Sequence, residues 1–242
     1  MIKNVIFDFG CVLVNWDQHN LYDSYFGSRE KTDWFIQHIC TLPWNNQTDV
    51  GKTFAEAVTE KVAEFPEWEK EIRMYWERWE DMIGGAIEGM EEWIGELKAA
   101  GYGTFGLTNW STETFPLVKN KFPVFAMLDG IVMSGEELIG KPDQRIYQIL
   151  LDRYGLKAAE CVFIDDRIGN IEAGERLGIR GILFENCQQA KQAFEKLNNI
   201  RKYAAGNKER AIWTRMILTF LELPVVEEVK QIKQNKLPQK KK

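Results

Sequence analysis

Asp8 follows the apolar run Val5-Ile6-Phe7 and precedes Phe9-Gly10. A carboxylate carried into a loop by a short buried strand can hold a cation or attack an electrophile. Asp165-Asp166 repeats the arrangement after Cys161-Val162-Phe163-Ile164, and Thr108-Asn109 ends the run Thr104-Phe105-Gly106-Leu107. Lys141 stands in Gly140-Lys141-Pro142-Asp143, just ahead of a helical pattern. Phosphoryl transfer to a carboxylate needs this set. Nucleophile and substrate are both anionic, so a divalent cation must neutralise them. Magnesium takes few carboxylates and completes its oxygen shell with water and phosphate. A fixed cation and hydrogen-bond donors then hold the phosphoryl oxygens in the transition state. The spacing offers Asp8 as nucleophile, Asp165 and Asp166 as the acidic metal pair, Lys141 as the cation and Thr108 as a donor.

The elements that must position these groups are strands alternating with helices. Besides the three runs above, Gly181-Ile182-Leu183-Phe184 ends in Glu185-Asn186. Helical patterns lie between the runs, over Gly89 to Ala100, Gln144 to Tyr154 and Ile171 to Leu177, the last closed by Gly178. This alternation predicts an α/β fold with a parallel sheet and crossover helices, whose functional groups gather at the carboxyl ends of the strands. Asp8, Thr108, Asp165 and Asp166 all fall there. From about Asp17 to Gly84 the chain changes character. It is rich in Trp, Glu and Lys, with Trp68, Ile72, Tyr75, Trp76 and Trp79 at helical spacing, which reads as an apolar helix face in a core. This stretch is expected to be a helical insertion, 17–84, covering the crevice of a core built from 1–16 and 85–198. A C-terminal extension, 199–242, should hold a helix from Asn207 to Leu223 and a solvated end at Lys240-Lys241-Lys242.

Composition sets limits. The 242 residues suffice for one core plus a smaller subdomain, and a 45% hydrophobic, 28% charged composition is that of a soluble globular chain. The net charge of −5 argues against general nucleic-acid affinity, which wants a basic field. No apolar stretch approaches the length that crosses a bilayer, and the expectation is a cytoplasmic protein without a leader and with no membrane or nucleic-acid partner. Cys11, Cys40, Cys161 and Cys187 form no CxxC pair and read as reduced thiols in or near a core. Cys11 is no phosphatase nucleophile, because the arginine such a phosphate loop needs six residues later is Asp17.

At these residues the chain resembles the haloacid dehalogenase (HAD) superfamily of hydrolases. Four motifs occur in order: Val5-Ile6-Phe7-Asp8-Phe9-Gly10-Cys11-Val12-Leu13-Val14; Gly106-Leu107-Thr108-Asn109; Gly140-Lys141-Pro142-Asp143, with Arg145-Ile146-Tyr147 opening the next helix; and Val162-Phe163-Ile164-Asp165-Asp166-Arg167-Ile168-Gly169-Asn170-Ile171. The resemblance spans about residues 1–198 and implies a Rossmann-like core with a helical cap inserted after the first strand. In that cap, Asp49-Val50-Gly51 looks like the family's acidic-x-Gly turn. The resemblance also implies roles. Asp8 becomes nucleophile and magnesium ligand, Gly10 a ligand through its carbonyl, and Asp166 a direct ligand with Asp165 and Asn170 in support. Thr108 and the Asn109 backbone N–H bind phosphate, and Lys141 bridges phosphate and Asp8. The substrate implied is a small phosphorylated metabolite.

One position departs from most phosphatases of that superfamily. The aspartate they carry two residues after the nucleophile, which protonates the leaving group, is Gly10 here. Its loss typically forfeits about 10²–10⁴-fold in rate. The Asp-x-Gly pattern is similar to that of sugar-phosphate phosphatases such as glucose-1-phosphate phosphatase. Anomeric or acyl phosphates fit, since they leave with less help; otherwise Asp17, His19 or a water must supply the proton. Two other readings compete. A 2-haloacid dehalogenase would use the same aspartate on carbon without a metal, though it has no need of a doubly acidic fourth motif. A catalytically weak binding or regulatory module would keep the fold without the turnover.

Overall fold

The computed structural model describes residues 1–205, with side chains through Asn198. Among the described residues seven strands run in chain order: β1 (Asn4–Phe7), β2 (Val14–Trp16), β3 (Ile83–Ala86), β4 (Gly103–Thr108), β5 (Gly130–Met133), β6 (Cys161–Asp165) and β7 (Arg180–Leu183). Five of them form one parallel sheet in the order β5-β4-β1-β6-β7. β1 lies at its centre, and Val5, Ile6 and Phe7 are fully buried on both faces. That is why the strand reads as a continuous apolar run rather than an alternating one.

The helices are α1 (Gln18–Phe26), α2 (Arg29–His38), α3 (Leu42–Thr48), α4 (Phe54–Glu64), α5 (Glu69–Glu77), α6 (Met90–Ala99), α7 (Phe115–Val118), α8 (Pro123–Ala126), α9 (Ser134–Glu137), α10 (Gln144–Arg153), α11 (Ile168–Glu175) and α12 (Cys187–Ala205). Those between sheet strands make the crossovers. Tyr147 of α10 shows how such a helix is fixed: its ring meets Phe163 of β6 edge-on at 5.5 Å, and its hydroxyl donates to the Asn170 carbonyl at 2.8 Å. Met1–Phe194 form one compact unit; a second begins at Glu195, described only as far as Ala205. The expected helix over Asn207–Leu223 and the lysine end lie outside the described residues.

Helices α1–α5 sit between β2 and β3, which pair antiparallel and form a two-stranded stem. Side-chain caps start four of these helices: Asp17, Ser28, Thr41 and Thr53 each accept a backbone N–H, and Thr53 with Glu56 closes a capping box. Of the expected aromatic stripe, Ile72, Tyr75 and Trp76 lie on α5, whereas Trp68 and Trp79 fall in 3₁₀ turns at its two ends. Ile72 and Tyr75 are buried as a core face should be; Trp79 is also buried, but it lines a cleft.

One of the cysteines departs from expectation. Cys40 and Cys161 are buried and Cys187 is half-buried, but Cys11 is exposed in the loop after β1, with φ +60°. The loop turns too sharply to keep Cys11 in the apolar layer: the N–H groups of Leu13 and Val14 both bond back to the Phe9 carbonyl, at 2.8 and 3.0 Å.

Candidate active site

Asp8 leaves β1 with its N–H still donating to the Ile164 carbonyl of β6 at 2.9 Å, so the ladder holds the carboxylate at the sheet's carboxyl edge. Phe9 then turns inward, its ring 4.8 Å from that of Phe125 and 5.9 Å from that of Phe115. Gly106 on β4 makes room for it, because any Cβ there would run into the Phe9 ring. One side chain is thus anchored so that its neighbour points into the crevice.

Lys141 ties the centre together. Its ammonium lies 2.7 Å from Asp8 Oδ1 and 2.8 Å from Asp165 Oδ2, and donates to the Leu107 carbonyl at 2.9 Å. Its side chain is 1% exposed, so both ion pairs act in a medium far less polar than water. Asn109 fixes the backbone that carries it: Oδ1 accepts from the Lys141 N–H at 2.7 Å, and Nδ2 donates to the Lys141 carbonyl at 3.0 Å. This clamp between β4 and the lysine loop is a use of the Asn109 side chain that its position in a motif did not suggest.

The two adjacent aspartates have different surroundings. Asp165 is fully buried, and besides Lys141 it accepts from Asn170 Nδ2 at 3.0 Å on each oxygen and from the Arg167 N–H at 2.8 Å. Asp166 is half-buried and makes no hydrogen bond to another side chain among the described residues. Asp8, Asp165 and Asp166 each offer an oxygen within 4.8 Å of the others. Burial, the largest influence, pushes the Asp8 carboxyl up to about 7; Lys141 pulls it down, and Asp165 and Asp166 push it further up. Burial and then Asp165 raise Asp166 likewise. Burial works against the Lys141 charge, yet Asp165 and Asp8 outweigh it and raise that group above its ordinary value. Three crowded carboxyls and one ammonium leave a net negative charge that a cation would neutralise.

The cleft above Asp8 encloses about 680 Å³, its open mouth included. The core side contributes Asp8, Gly10, Cys11, Asn109, Lys141, Asp166 and Arg167; the helical segment contributes Leu42, Asn45, Asn46, Asp49 and Trp79. Thr108 is placed differently from the other candidates. It ends β4 fully buried, below the cleft lining, and its hydroxyl has no partner among the described residues. Asp17 and His19, the candidates for a replacement acid, do not line the cleft. Asp17 caps α1, and His19 bridges Asp23 at 2.9 Å and Asp33 at 3.2 Å. Proximity in sequence was misleading here, because β2 carries the chain away from Asp8 before either residue is reached.

Geometry and sequence relatives agree on the class. Residues 2–178 match the model of the haloacid dehalogenase-like hydrolases, and the chain belongs to that family. The sesquiterpene phosphatase astK of Aspergillus oryzae is 30% identical over 93 residues, 38% of this chain and 47% of that one. Flavin mononucleotide hydrolase 1 of Arabidopsis thaliana is 28% identical over 101 residues, 42% of this chain and 41% of that one. (S)-2-haloacid dehalogenase 1 of Pseudomonas sp. is 29% identical over 89 residues, 37% of this chain and 39% of that one. The chain thus spans less than half the length of each of these relatives. The HAD family enzyme bt-2542 of Bacteroides thetaiotaomicron, solved with magnesium and inorganic phosphate, superposes with a TM-score of 0.60 at 20% identity, over 77% of this chain and 96% of that one. At that identity the likeness establishes the fold. Among the described residues no helix is long and apolar enough to cross a membrane.

Proposed function

We propose that the protein is a magnesium-dependent phosphatase that hydrolyses a small phosphate ester through an aspartyl-phosphate on Asp8. The observation that carries this reading is the contrast between Asp165, saturated by Lys141, Asn170 and Arg167, and Asp166, whose carboxylate bonds no other side chain among the described residues and lies beside Asp8. A dehalogenase attacking carbon has no need of a free second carboxylate. Asp8, the Gly10 carbonyl and Asp166 would hold the magnesium ion, with Asp165 and Asn170 orienting the set from behind. The ion would supply charge neutralisation between carboxylate and phosphate. Lys141 holds Asp8 Oδ1 and so aims the other oxygen at phosphorus. Phosphate bound there would also give the orphaned Thr108 hydroxyl an acceptor, with the Asn109 N–H beside it.

The segment 17–84 acts as the cap that closes over the substrate. Its contribution to the cleft, Trp79 with the amide of Asn46, is what a hydroxylated ring uses, and it supports a sugar phosphate as substrate. Relatives with phosphatase and mononucleotide hydrolase activity support the reaction class. The test is a panel of sugar and nucleotide monophosphates assayed with magnesium and again with EDTA, beside a 2-haloacid. Phosphate release that EDTA abolishes is the expected result. Halide release, or turnover undiminished by EDTA, contradicts the proposal, and no turnover of any substrate favours the binding-module reading.

A further inference from the structure

Gly10 leaves the phosphatase without a proton donor beside its nucleophile, and the helical segment supplies a carboxyl to the same cleft. We infer that Asp49 is the proton donor to the leaving oxygen, acting across the cleft from Asp8; the inference rests on the phosphatase reading above.

Asp49 is held over the core by its backbone and aimed by its neighbours. Its carbonyl accepts from the Ser134 hydroxyl, and Ser134 in turn accepts from the Trp110 N–H at 2.9 Å. Gly51, at φ +106°, has the Leu138 side chain where a Cβ would stand, and Val50 lies against Gly140. The Asp49–Gly51 turn therefore rests on the stretch that carries Lys141. On the other side, Asn45 Nδ2 donates to Asp49 Oδ2 at 3.2 Å. Asn45 Oδ1 accepts from the Tyr75 hydroxyl at 2.8 Å, and Gln18 Nε2 donates to that hydroxyl at 3.3 Å and to the Cys40 carbonyl at 2.7 Å. Gln18, Asn45 and Tyr75 are all buried. Because this chain occupies only Oδ2, Oδ1 makes no hydrogen bond among the described residues and is available to carry a proton.

The charges around it suit a donor. Burial pushes the Asp49 carboxyl up to about 7, against the pull of Arg167 and Lys141; Tyr75, itself raised well above its ordinary value by burial, stays neutral. Near neutral pH much of the group is in the acid form. The other acidic hydrogens and carboxyls lining the cleft have other work. Lys141 holds two carboxylates, Asp166 is the carboxylate assigned above to magnesium, and the Cys11 thiol donates to the Trp16 carbonyl at 3.5 Å.

The step balances. An Asp8 oxygen forms the bond to phosphorus while the ester P–O bond breaks, and the Asp49 proton moves to the departing oxygen, which leaves as an alcohol. The Asp49 carboxylate then takes a proton from the water that attacks the aspartyl-phosphate, releasing inorganic phosphate and restoring both carboxyl groups.

The test measures kcat for alkyl and aryl phosphates of graded leaving-group pKa. Wild type should vary little along the series. Asp49→Asn should lose about 10²–10⁴-fold on alkyl esters and less than about tenfold on p-nitrophenyl phosphate, whose leaving group departs without a proton. That retained aryl rate also reports an intact fold. Gly10→Asp added to Asp49→Asn should restore the alkyl rate, since Gly10 has an ordinary φ and open space where a Cβ would go. A steep leaving-group dependence in wild type, or equal losses on both ester classes in Asp49→Asn, overturns the donor role and leaves the phosphatase standing. Absence of any turnover in wild type overturns both.

Discussion

Replacing Lys141 with Met removes the one positive charge paired with Asp8 and Asp165 among the described residues, and its cost can be worked from their surroundings. The ammonium makes both ion pairs below 3 Å with side chains 1%, 11% and 0% exposed. Water can approach Asp8 from the cleft, but Asp165 is sealed from it. Removing one partner of such a buried set costs about 3–5 kcal/mol, because the remaining charges stay desolvated. With a urea dependence of about 3 kcal/mol per molar, the unfolding midpoint should fall by roughly 1–1.7 M. Tryptophan fluorescence suits the measurement, with nine tryptophans in the chain. The loss should also depend on pH. Asp8 already sits at about 7 with Lys141 present, and it must rise further without it. A carboxyl raised in the folded state destabilises most above its folded pKa, and the cost fades as pH falls toward the unfolded value of about 4. The variant should thus be hurt more at about pH 8 than at about pH 5.5. Adding Asp165→Asn should recover a large part of the loss, since one of the two orphaned charges goes. A midpoint shift worth less than about 1 kcal/mol, or a double variant no more stable than Lys141→Met, would refute the reasoning.

Other outcomes follow from the same geometry. Asp166→Ala should abolish magnesium-dependent turnover yet shift the unfolding free energy by less than about 1 kcal/mol, whereas Asp165→Ala should cost about 3 kcal/mol or more through stranded Lys141 and Asn170; equal stability losses would contradict the division between them. Tyr75→Phe leaves Asn45 Oδ1 and Gln18 Nε2 short of a buried partner and should lower stability by about 1–3 kcal/mol, read by urea titration. Asp129 accepts from the Thr104 N–H at 2.8 Å and pairs with Lys98; slight burial works upward, but the Lys98 and Thr104 bonds hold its carboxyl below the usual range. Its stabilisation should be full above the unfolded carboxylate value of about 4 and disappear as pH falls through the lower folded value, a dependence that Asp129→Asn removes.

Much of the sheet is readable without coordinates because most of its strands are apolar runs ending in polar residues. β1, β4, β6 and β7 all show that pattern, and the ladder places Asp8, Thr108 and Asp165 at one edge as the pattern implies. β5 escapes because Gly130-Ile131-Val132-Met133 shows no alternation and runs directly into the four-residue helix Ser134–Glu137 rather than into a loop. The β2–β3 stem escapes for another reason: Ile83-Gly84-Gly85-Ala86 has almost no strand propensity, and only its pairing with Val14–Trp16 makes it a strand. At the site, residue types revealed the acidic groups but not how they divide the work. That Asp165 is saturated while Asp166 bonds no side chain among the described residues is a matter of which side chains from α11 and the Lys141 loop reach them. Asp49 read only as part of a turn, because neither its burial nor the Gln18–Tyr75–Asn45 chain behind it is local in sequence.

The covalent role of Asp8 is tested most directly by trapping it. The enzyme is mixed with a phosphate ester and magnesium, quenched within a turnover, reduced with borohydride and digested. An aspartyl-phosphate is an acyl phosphate, and borohydride converts its carboxyl to the alcohol of homoserine. The account predicts homoserine at position 8 in quenched wild type, none at Asp165 or Asp166, and none without substrate. Steady phosphate release in the same quenched samples with Asp8 left unreduced throughout would contradict it.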